Sequence, residues 1–554
     1  MAEQSGPETP VTTTPPTKNY TGGLLRAAGL IAFVTVASKF LGFLRDWQIM
    51  HTYGASLLSD AYFAAFQIPS FAIILLGGLG GPFNTATVAV FSRLIKDGEV
   101  SSDLSRLLAR VLITVTGLVF LLLSGAVYLF AKPIMSTILF GGSEALVENA
   151  AFQLKIMSPI IFVGGLVGIF YGIANVHQRF FWPSFSPAMV SVVMITALWL
   201  NPNDATGYVL AMATLAGCVA QLLVQLPNYL AEKYSLAPSL AYNNPDVKKE
   251  LDKIGEILFP ALVGTTIGQL TVYVDMFFTS FLAEGGWTAV VMGNRLLQLP
   301  IGVLQTALLV PIFPLFSRFV ADQQWEDLRR YFKSGVVSLW FISIPILALM
   351  MLYTEPIIRL VFQHGQFDAR ATELVSLVLV FQAFSMLPYF ARDSITRVFY
   401  AFHDAKTPLL VGLLAIVLKG FLDWLFVVPM QLGVGGIALS TTLITFFNMT
   451  LLGLLIRKHI NHMGFREMVL PFAKLFTSGC IMYGIMVVVG DAIALPLSYV
   501  PLGIQWQEWI NMGLCTLVGL FIYSVTAYAF KVYEVKYLVK KVLGKLAEKL
   551  NITD

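Results

Sequence analysis

From residue 24 onward, apolar stretches of about twenty residues follow one another almost to the end of the chain, separated by short polar segments. An α-helix needs roughly 20 residues to cross the ~30 Å hydrocarbon layer of a bilayer. The pattern predicts spans near 24–45, 57–92, 104–130, 148–176, 184–200, 206–230, 253–283, 288–318, 332–353, 371–402, 408–428, 433–456, 469–490 and 509–531, about fourteen in all. Alternating segments of about ten residues, the mark of an outer-membrane barrel, are missing. The fold class is therefore an all-α integral membrane protein. Residues 1–23 are polar and rich in Pro and Thr. They lack the basic start and apolar core of a signal peptide, so they are expected to be a disordered tail.

Composition sharpens this picture. The 554 residues are 57% hydrophobic and only 12% charged, with a mean hydropathy of +0.75. Soluble domains carry about 25% charged residues, so an ordinary soluble enzyme is excluded. A net charge of +4 is too small to suggest a nucleic-acid partner. Cys218, Cys480 and Cys515 all lie in apolar segments without a CxxC and read as small core residues. Lys and Arg gather in alternate loops, from Arg93 and Lys96 through Arg329 and Arg330 to Arg457 and Arg466. The intervening loops hold only Lys132, Arg359 and Arg370. The positive-inside rule then places both termini in the cytoplasm of a multi-pass protein. Residues 532–554 carry Val535, Leu538, Val542, Leu546 and Leu550 on one helical stripe amid lysines. This is either a basic amphipathic helix on the anionic leaflet or a solvated helical tail.

The chain repeats itself weakly after about 225–230 residues. AKPIMSTILFGG (131–142) is echoed by TEPIIRLVFQHG (354–365). Gln67–Pro69 with Phe91-Ser92-Arg93 is echoed by Gln298–Pro300 with Phe316-Ser317-Arg318, and the Pro133–Pro187 spacing by Pro356–Pro408. Two lobes of six helices are expected, 24–230 and 253–456, joined by a cytoplasmic linker at 231–252. Two extra helices follow at 469–531. An even number of helices per repeat relates the lobes by an axis along the membrane normal, with the binding site between them.

Ionisable residues inside spans are costly and mark function or pairing. The first helix carries Lys39, Arg45 and Asp46, and Asp60 opens the second. Lys155, Asp275 and Arg295 follow in the fourth, seventh and eighth; the tenth carries Arg392, Asp393 and Arg397, and the eleventh Lys419 and Asp423. Arg45 and Arg295, one from each lobe, would suit a diphosphate held bidentately in a central cavity. The competing arrangement pairs Arg45 with Asp46 or Asp60. Lys419 and Asp423, four apart, share a helix face and form an expected ion pair that Asp275 could join; a cation-coupling site is the functional alternative. Gly77, Gly78, Gly80 and Gly81 interrupt the second helix and read as a hinge. His364 and His403 fall in loops on opposite sides, and no catalytic or phosphate-loop motif is present, so an enzyme is not expected.

SKFLGFLRDWQIMHTYGASLLSDAYFAAFQIP (38–69), GNRLLQLPIGVLQTALLVPIFPLFSRF (293–319), LVFQHGQFD (360–368) and VFYAFHDAKTP (398–408) together resemble the MurJ (MviN) lipid II flippases, a branch of the multidrug/oligosaccharidyl-lipid/polysaccharide exporter superfamily. The resemblance spans about residues 24–530. It implies two lobes around a cationic cavity, two extra helices forming a groove for a polyprenyl tail, and lipid II as cargo, carried from the inner to the outer leaflet of the bacterial plasma membrane for peptidoglycan synthesis. It puts Arg45, Asp46, Asp60 and Arg295 on cavity positions, with Lys39 where Arg is common. Asp275 and Asp423 fall on a sodium site of some members, with Lys419 in place of a neutral ligand. Coupling to sodium or to the membrane potential is expected from the resemblance, but Lys419 argues against sodium in this chain, where a tethered ammonium would stand in for the ion. Peptidoglycan synthases are the partner class such an activity suggests, although no segment marks a surface for one. The chain departs from the pattern after Pro69, where Ile73 and Ile74 replace an Arg pair. That leaves another polyprenyl-linked glycan open as cargo. A drug/cation antiporter would need an acidic cavity; an envelope-assembly scaffold that transports nothing would tolerate charge reversal at Arg295.

Overall fold

The computed structural model describes residues 20–76, 81–95, 103–460, 463–497 and 504–532, and their regular structure is helical throughout. The first lobe comprises α1 (Tyr20–Tyr53), α2 (Leu57–Leu76), α3 (Pro82–Leu94), α4 (Asp103–Leu129), α5 (Ala131–Ile138), α6 (Glu144–Met157), α7 (Ile160–Val176), α8 (Phe181–Leu200) and α9 (Tyr208–Ala231). The second comprises α10 (Pro245–Thr279), α11 (Gly286–Leu304), α12 (Val310–Ala321), α13 (Trp325–Phe362), α14 (Ala369–Ala383), α15 (Met386–Ala401), α16 (Lys406–Val427) and α17 (Gly433–Leu455). The appended pair is α18 (Phe465–Leu497) and α19 (Ile504–Ala529).

Ten of these helices are long and apolar enough to cross a membrane, and the bent pairs α6/α7, α11/α12 and α14/α15, each counted as one span, bring the number to thirteen. At 34 residues, α1 has the length of a fourteenth, about 51 Å at 1.5 Å per residue. The pairs bend by 42°, 44° and 48°. Pro159 causes the first, because it has no N–H to continue the ladder, and the Ser158 carbonyl beside it accepts the Ser124 hydroxyl at 2.9 Å. A π-helical turn, Gln305–Leu309, joins α11 to α12.

The packing repeats as the sequence does. α8 lies on α1 and α9 as α16 lies on α10 and α17; α6 lies on α2 as α14 lies on α11; α7 lies on α3, α4 and α9 as α15 lies on α12, α13 and α17. The echo at 354–365 falls on the last turns of α13, where the first lobe has the separate α5. α18 packs on α13, and α19 on α18.

Three expectations need correcting at their edges. α1 starts at Tyr20, inside the segment expected as a tail. α10 starts at Pro245, inside the expected linker, because the Asn244 side chain caps it, accepting from Asp246 N at 3.0 Å, and Pro245 suits a first helical position. Cys480 is exposed on α18, whereas Cys218 and Cys515 are buried as expected, and all three are free. Gly77, Gly78, Gly80 and the stripe from Val535 to Leu550 lie outside the described residues. Gly81 precedes α3 with a φ of −64°, a conformation open to any residue.

Candidate functional site

Between the lobes lies a cavity of about 540 Å³. α2 contributes Phe63, Gln67 and Ser70; α11 contributes Asn294, Arg295 and Gln298; α15 contributes Arg392; and α17 contributes Thr441, Thr445 and Asn448. The neutral polar residues among them, Gln67 and Ser70, Asn294 and Gln298, and Thr441, Thr445 and Asn448, recur at helical spacing on α2, α11 and α17. Sequence reasoning passed them over because it weighed only charges, yet polar side chains three, four or seven apart in an apolar span are a readable signal. The opposite face of α15 and α17 is apolar. There Trp340, Phe446, Met449, Phe465 and Phe472 line a separate pocket of about 350 Å³, with Arg457 as its single charged residue.

Arg45 and Arg295 meet on one carboxylate. Arg45 donates to Asp46 Oδ1 from Nε (3.0 Å) and Nη2 (2.8 Å), and Arg295 reaches the same oxygen from the other lobe. Of the two arrangements envisaged for Arg45, the structure shows the pairing with Asp46; Arg45 is not itself among the residues lining the cavity, and it adjoins Arg295 through the shared carboxylate. Arg295 also packs over the Phe63 ring, 5.0 Å from its centroid. Lys39 does not line the cavity. It is exposed, with Nζ 3.9 Å from where a Cβ on Gly302 would stand. Lys155 is exposed on α6, away from the cavity.

The expected ion pair on α16 is present, and Asp275 joins it. Lys419 Nζ lies 2.6 Å from Asp275 and 3.4 Å from Asp423, and donates to Ser440 and Thr441 at 2.9 Å each. Ser440 in turn donates to Asp423. One buried ammonium thus ties α10, α16 and α17 together at the edge of the cavity. The ammonium stands between the carboxylates of Asp275 and Asp423, and no cluster of three or more His, Cys, Asp or Glu suited to a metal exists among the described residues.

Asp60 is neither a cavity residue nor a partner of Arg45. Its buried carboxylate accepts from Gly285 N (2.7 Å), Thr288 N (2.7 Å) and Thr288 Oγ1 (2.6 Å), capping the start of α11 across the lobe boundary. This belongs to a seal at one end of the cavity. Trp47 Nε1 donates to the Val361 carbonyl (2.7 Å), and Gln366 N to the His51 carbonyl (2.9 Å). Two glycines permit the close approach. Gly54 (φ +60°) and Gly365 (φ +65°) would each drive a Cβ to within 2.2 and 2.3 Å of a carbonyl oxygen in the opposite lobe. The motifs HTYGAS and FQHGQFD are thus the two sides of one contact. The turn HDAKTP serves another end: Asp404 accepts from Thr407 N (2.9 Å) and Oγ1 (2.7 Å), opening α16, and meets His459 at 3.0 Å.

Comparison with known proteins gives a consistent result. A family model described as lipid II flippase MurJ matches residues 49–502. A Synechocystis protein named probable lipid II flippase MurJ is 32% identical over 452 residues, 79% of this chain and 82% of its own. One of the same name from Vibrio cholerae is 29% identical over 522 residues, 91% and 95% of the two chains. A structure of lipid II flippase MurJ in an inward closed conformation superposes with a TM-score of 0.72 at 22% identity, covering 90% of this chain and 99% of that one. An inward-facing multidrug resistance MATE family transporter superposes at 0.56 and 14% identity, covering 78% and 98%.

Proposed function

This chain belongs to the lipid II flippase MurJ family, and on that premise we propose that it carries lipid II from the inner to the outer leaflet of the bacterial plasma membrane. The reading rests on one observation above all: guanidinium groups from two pseudo-symmetric lobes converge on a single carboxylate beside a polar cavity. Arg binds phosphate oxygens through two parallel N–H bonds. Asp46 accepts from Arg45 and lies against Arg295, in the position a phosphate oxygen would take, so neither guanidinium is left unpaired. A diphosphate takes Arg295, then Arg45, from it. Asn294, Gln298, Thr445 and Asn448 offer hydrogen bonds to sugar hydroxyls and peptide amides, while the polyprenyl tail stays in lipid or against the apolar pocket beside α18.

The Lys and Arg distribution supports a sealed end facing outward and termini in the cytoplasm, with the cavity loading from the inner side. Opening of the seal and closure of the inner end deliver the headgroup outward. Lys419 is a tethered cation in the second lobe, so no bound metal ion is required there. Membrane potential biases the cycle, since moving one charge through the field is worth roughly 2.3 kcal/mol per 100 mV.

The test is rescue of a strain conditionally lacking its lipid II flippase, scored by growth and by lipid II reaching the outer surface. The wild-type chain should restore both; Arg295→Glu, present at equal level in the membrane, should restore neither. A chain that inserts fully yet leaves lipid II on the inner leaflet would point to the second reading, another polyprenyl-linked glycan. That reading draws on Ile74, 40% exposed, standing where the resemblance implies a guanidinium.

A further inference from the structure

Among the described residues, Arg392 is the one cation lining the interlobe cavity whose charge no carboxylate takes up. Arg295 ends on Asp46, which Arg45 shares, and Lys419 sits between Asp275 and Asp423. The carboxylate next to Arg392 is engaged elsewhere: Asp393 lies 3.2 Å from Arg397 and accepts from Gln305 at 3.3 Å. Among the described residues Arg392 has no ion-pair partner. Its guanidinium carbon stands 4.6 Å from the centroid of the Tyr389 ring, a contact that orients the fork without consuming an N–H. The charge balance is simple. Two arginines with one aspartate leave one positive charge, and one lysine with two aspartates leaves one negative charge. These cancel, and among the described residues the cavity's net positive charge is that of Arg392.

We propose that Arg392 is a specificity-determining residue that grips the second phosphate of the cargo, so that the cavity prefers a polyprenyl diphosphate to a monophosphate. This rests on the flippase reading above. Arg45 and Arg295 must release Asp46 before they take a phosphate, whereas Arg392 gives up no ion pair. The first lobe offers no substitute. Gln67 and Ser70 of α2 face the cavity, and the next position on that face is Ile74, which is apolar and partly exposed; Ile73 packs against Gly164 inside the lobe.

The experiment measures binding of undecaprenyl diphosphate and undecaprenyl monophosphate to the full-length protein in lipid nanodiscs. For Arg392→Gln, diphosphate binding should weaken about 10- to 100-fold, as expected for one lost hydrogen-bonded contact to a charged group, with monophosphate binding changed less than about threefold. Arg392→Lys keeps the charge without the fork and should recover part of the preference, which covers the case of a Gln variant that fails to fold. Adding Ile74→Arg to Arg392→Gln should restore it from the other lobe. Diphosphate binding at the wild-type level in Arg392→Gln overturns the proposal and leaves the flippase reading intact. An equal loss of both lipids, with unchanged thermal unfolding, also overturns it. A wild-type protein that binds neither lipid removes both the proposal and the reading beneath it.

Discussion

Replacing Asp60 by Asn should loosen the lobes at the sealed end. The carboxylate accepts three buried hydrogen bonds of 2.6–2.7 Å, two of them from backbone N–H groups at the start of α11. Asn keeps the shape but offers one acceptor oxygen, and its NH2 then faces an N–H. At least one charge-assisted bond is lost, worth about 1.5–3 kcal/mol, together with about 0.3–1 kcal/mol from a negative charge at a helix N-terminus. A shift of about 2–4 kcal/mol changes the ratio of open to sealed molecules by a factor of about 30–1000. The assay places one cysteine at Ala289, fully buried just past the capped turn, with Cys218, Cys480 and Cys515 replaced, and follows its reaction with a water-soluble maleimide. If reaction requires opening, the rate should rise by that factor. An unchanged rate in a protein that melts normally would show that Asp60 does not hold the lobes together.

Other outcomes follow from the same geometry. Gly365→Ala should prevent full closure, because its Cβ would stand 2.3 Å from the His51 carbonyl oxygen; the same maleimide assay should show at least a tenfold faster reaction. Lys419→Met leaves Asp275 and Asp423 together without their cation, a change costing about 3–5 kcal/mol for a buried pair. It should lower the unfolding temperature, and sodium should raise that temperature in the variant but not in the wild type. Partial burial pushes the Asp404 carboxyl up, but the hydrogen bonds from Thr407 and His459 outweigh it and hold it at about 2. Its folded-state value is thus depressed, so its contribution to stability is complete above about pH 4 and is lost as pH falls toward 2. Asp404→Asn should therefore flatten the acid limb of a stability–pH profile, measured by thermal unfolding.

Much of the fold was legible because bilayer thickness imposes a length on every span, and the Lys419–Asp423 pair because four residues bring two side chains onto one helix face. Both are local facts of sequence. Asp46 was harder: nothing in α1 announces that Arg295, some 250 residues later, will share its carboxylate. Asp60 looked like a cavity charge because a buried carboxylate inside a span usually faces water or a cation. Its actual partners are backbone N–H groups of α11, and backbone donors leave no trace in composition. The glycines at 54 and 365 stood in recognisable motifs, yet that the two motifs touch is a property of lobe docking alone. The bends at Ser158 and Phe384 were likewise hidden inside unbroken apolar runs, where hydropathy does not register direction.

The phosphate site and the seal share a single helix. Arg45, Asp46, Trp47 and His51 lie within two turns of α1, about 9 Å by helical rise, and three of them hold α1 against the second lobe: Asp46 on Arg295, Trp47 on Val361 and His51 on Gln366. A diphosphate that draws Arg295 away from Asp46 removes the contact nearest the cavity and leaves the other two to hold the helix. Cargo and seal then oppose each other through one rigid element. Coupling of this kind is reciprocal: the free energy by which cargo weakens the seal equals that by which a weakened seal strengthens cargo binding. Asp60→Asn acts on the seal from α2, and the hydrogen bonds it alters go to Gly285 and Thr288, which do not line the cavity, so it should tighten lipid II binding. Unaltered affinity in a variant whose seal demonstrably opens would mean that cargo does not act on the seal through α1, and that closure of the inner end must supply the drive instead.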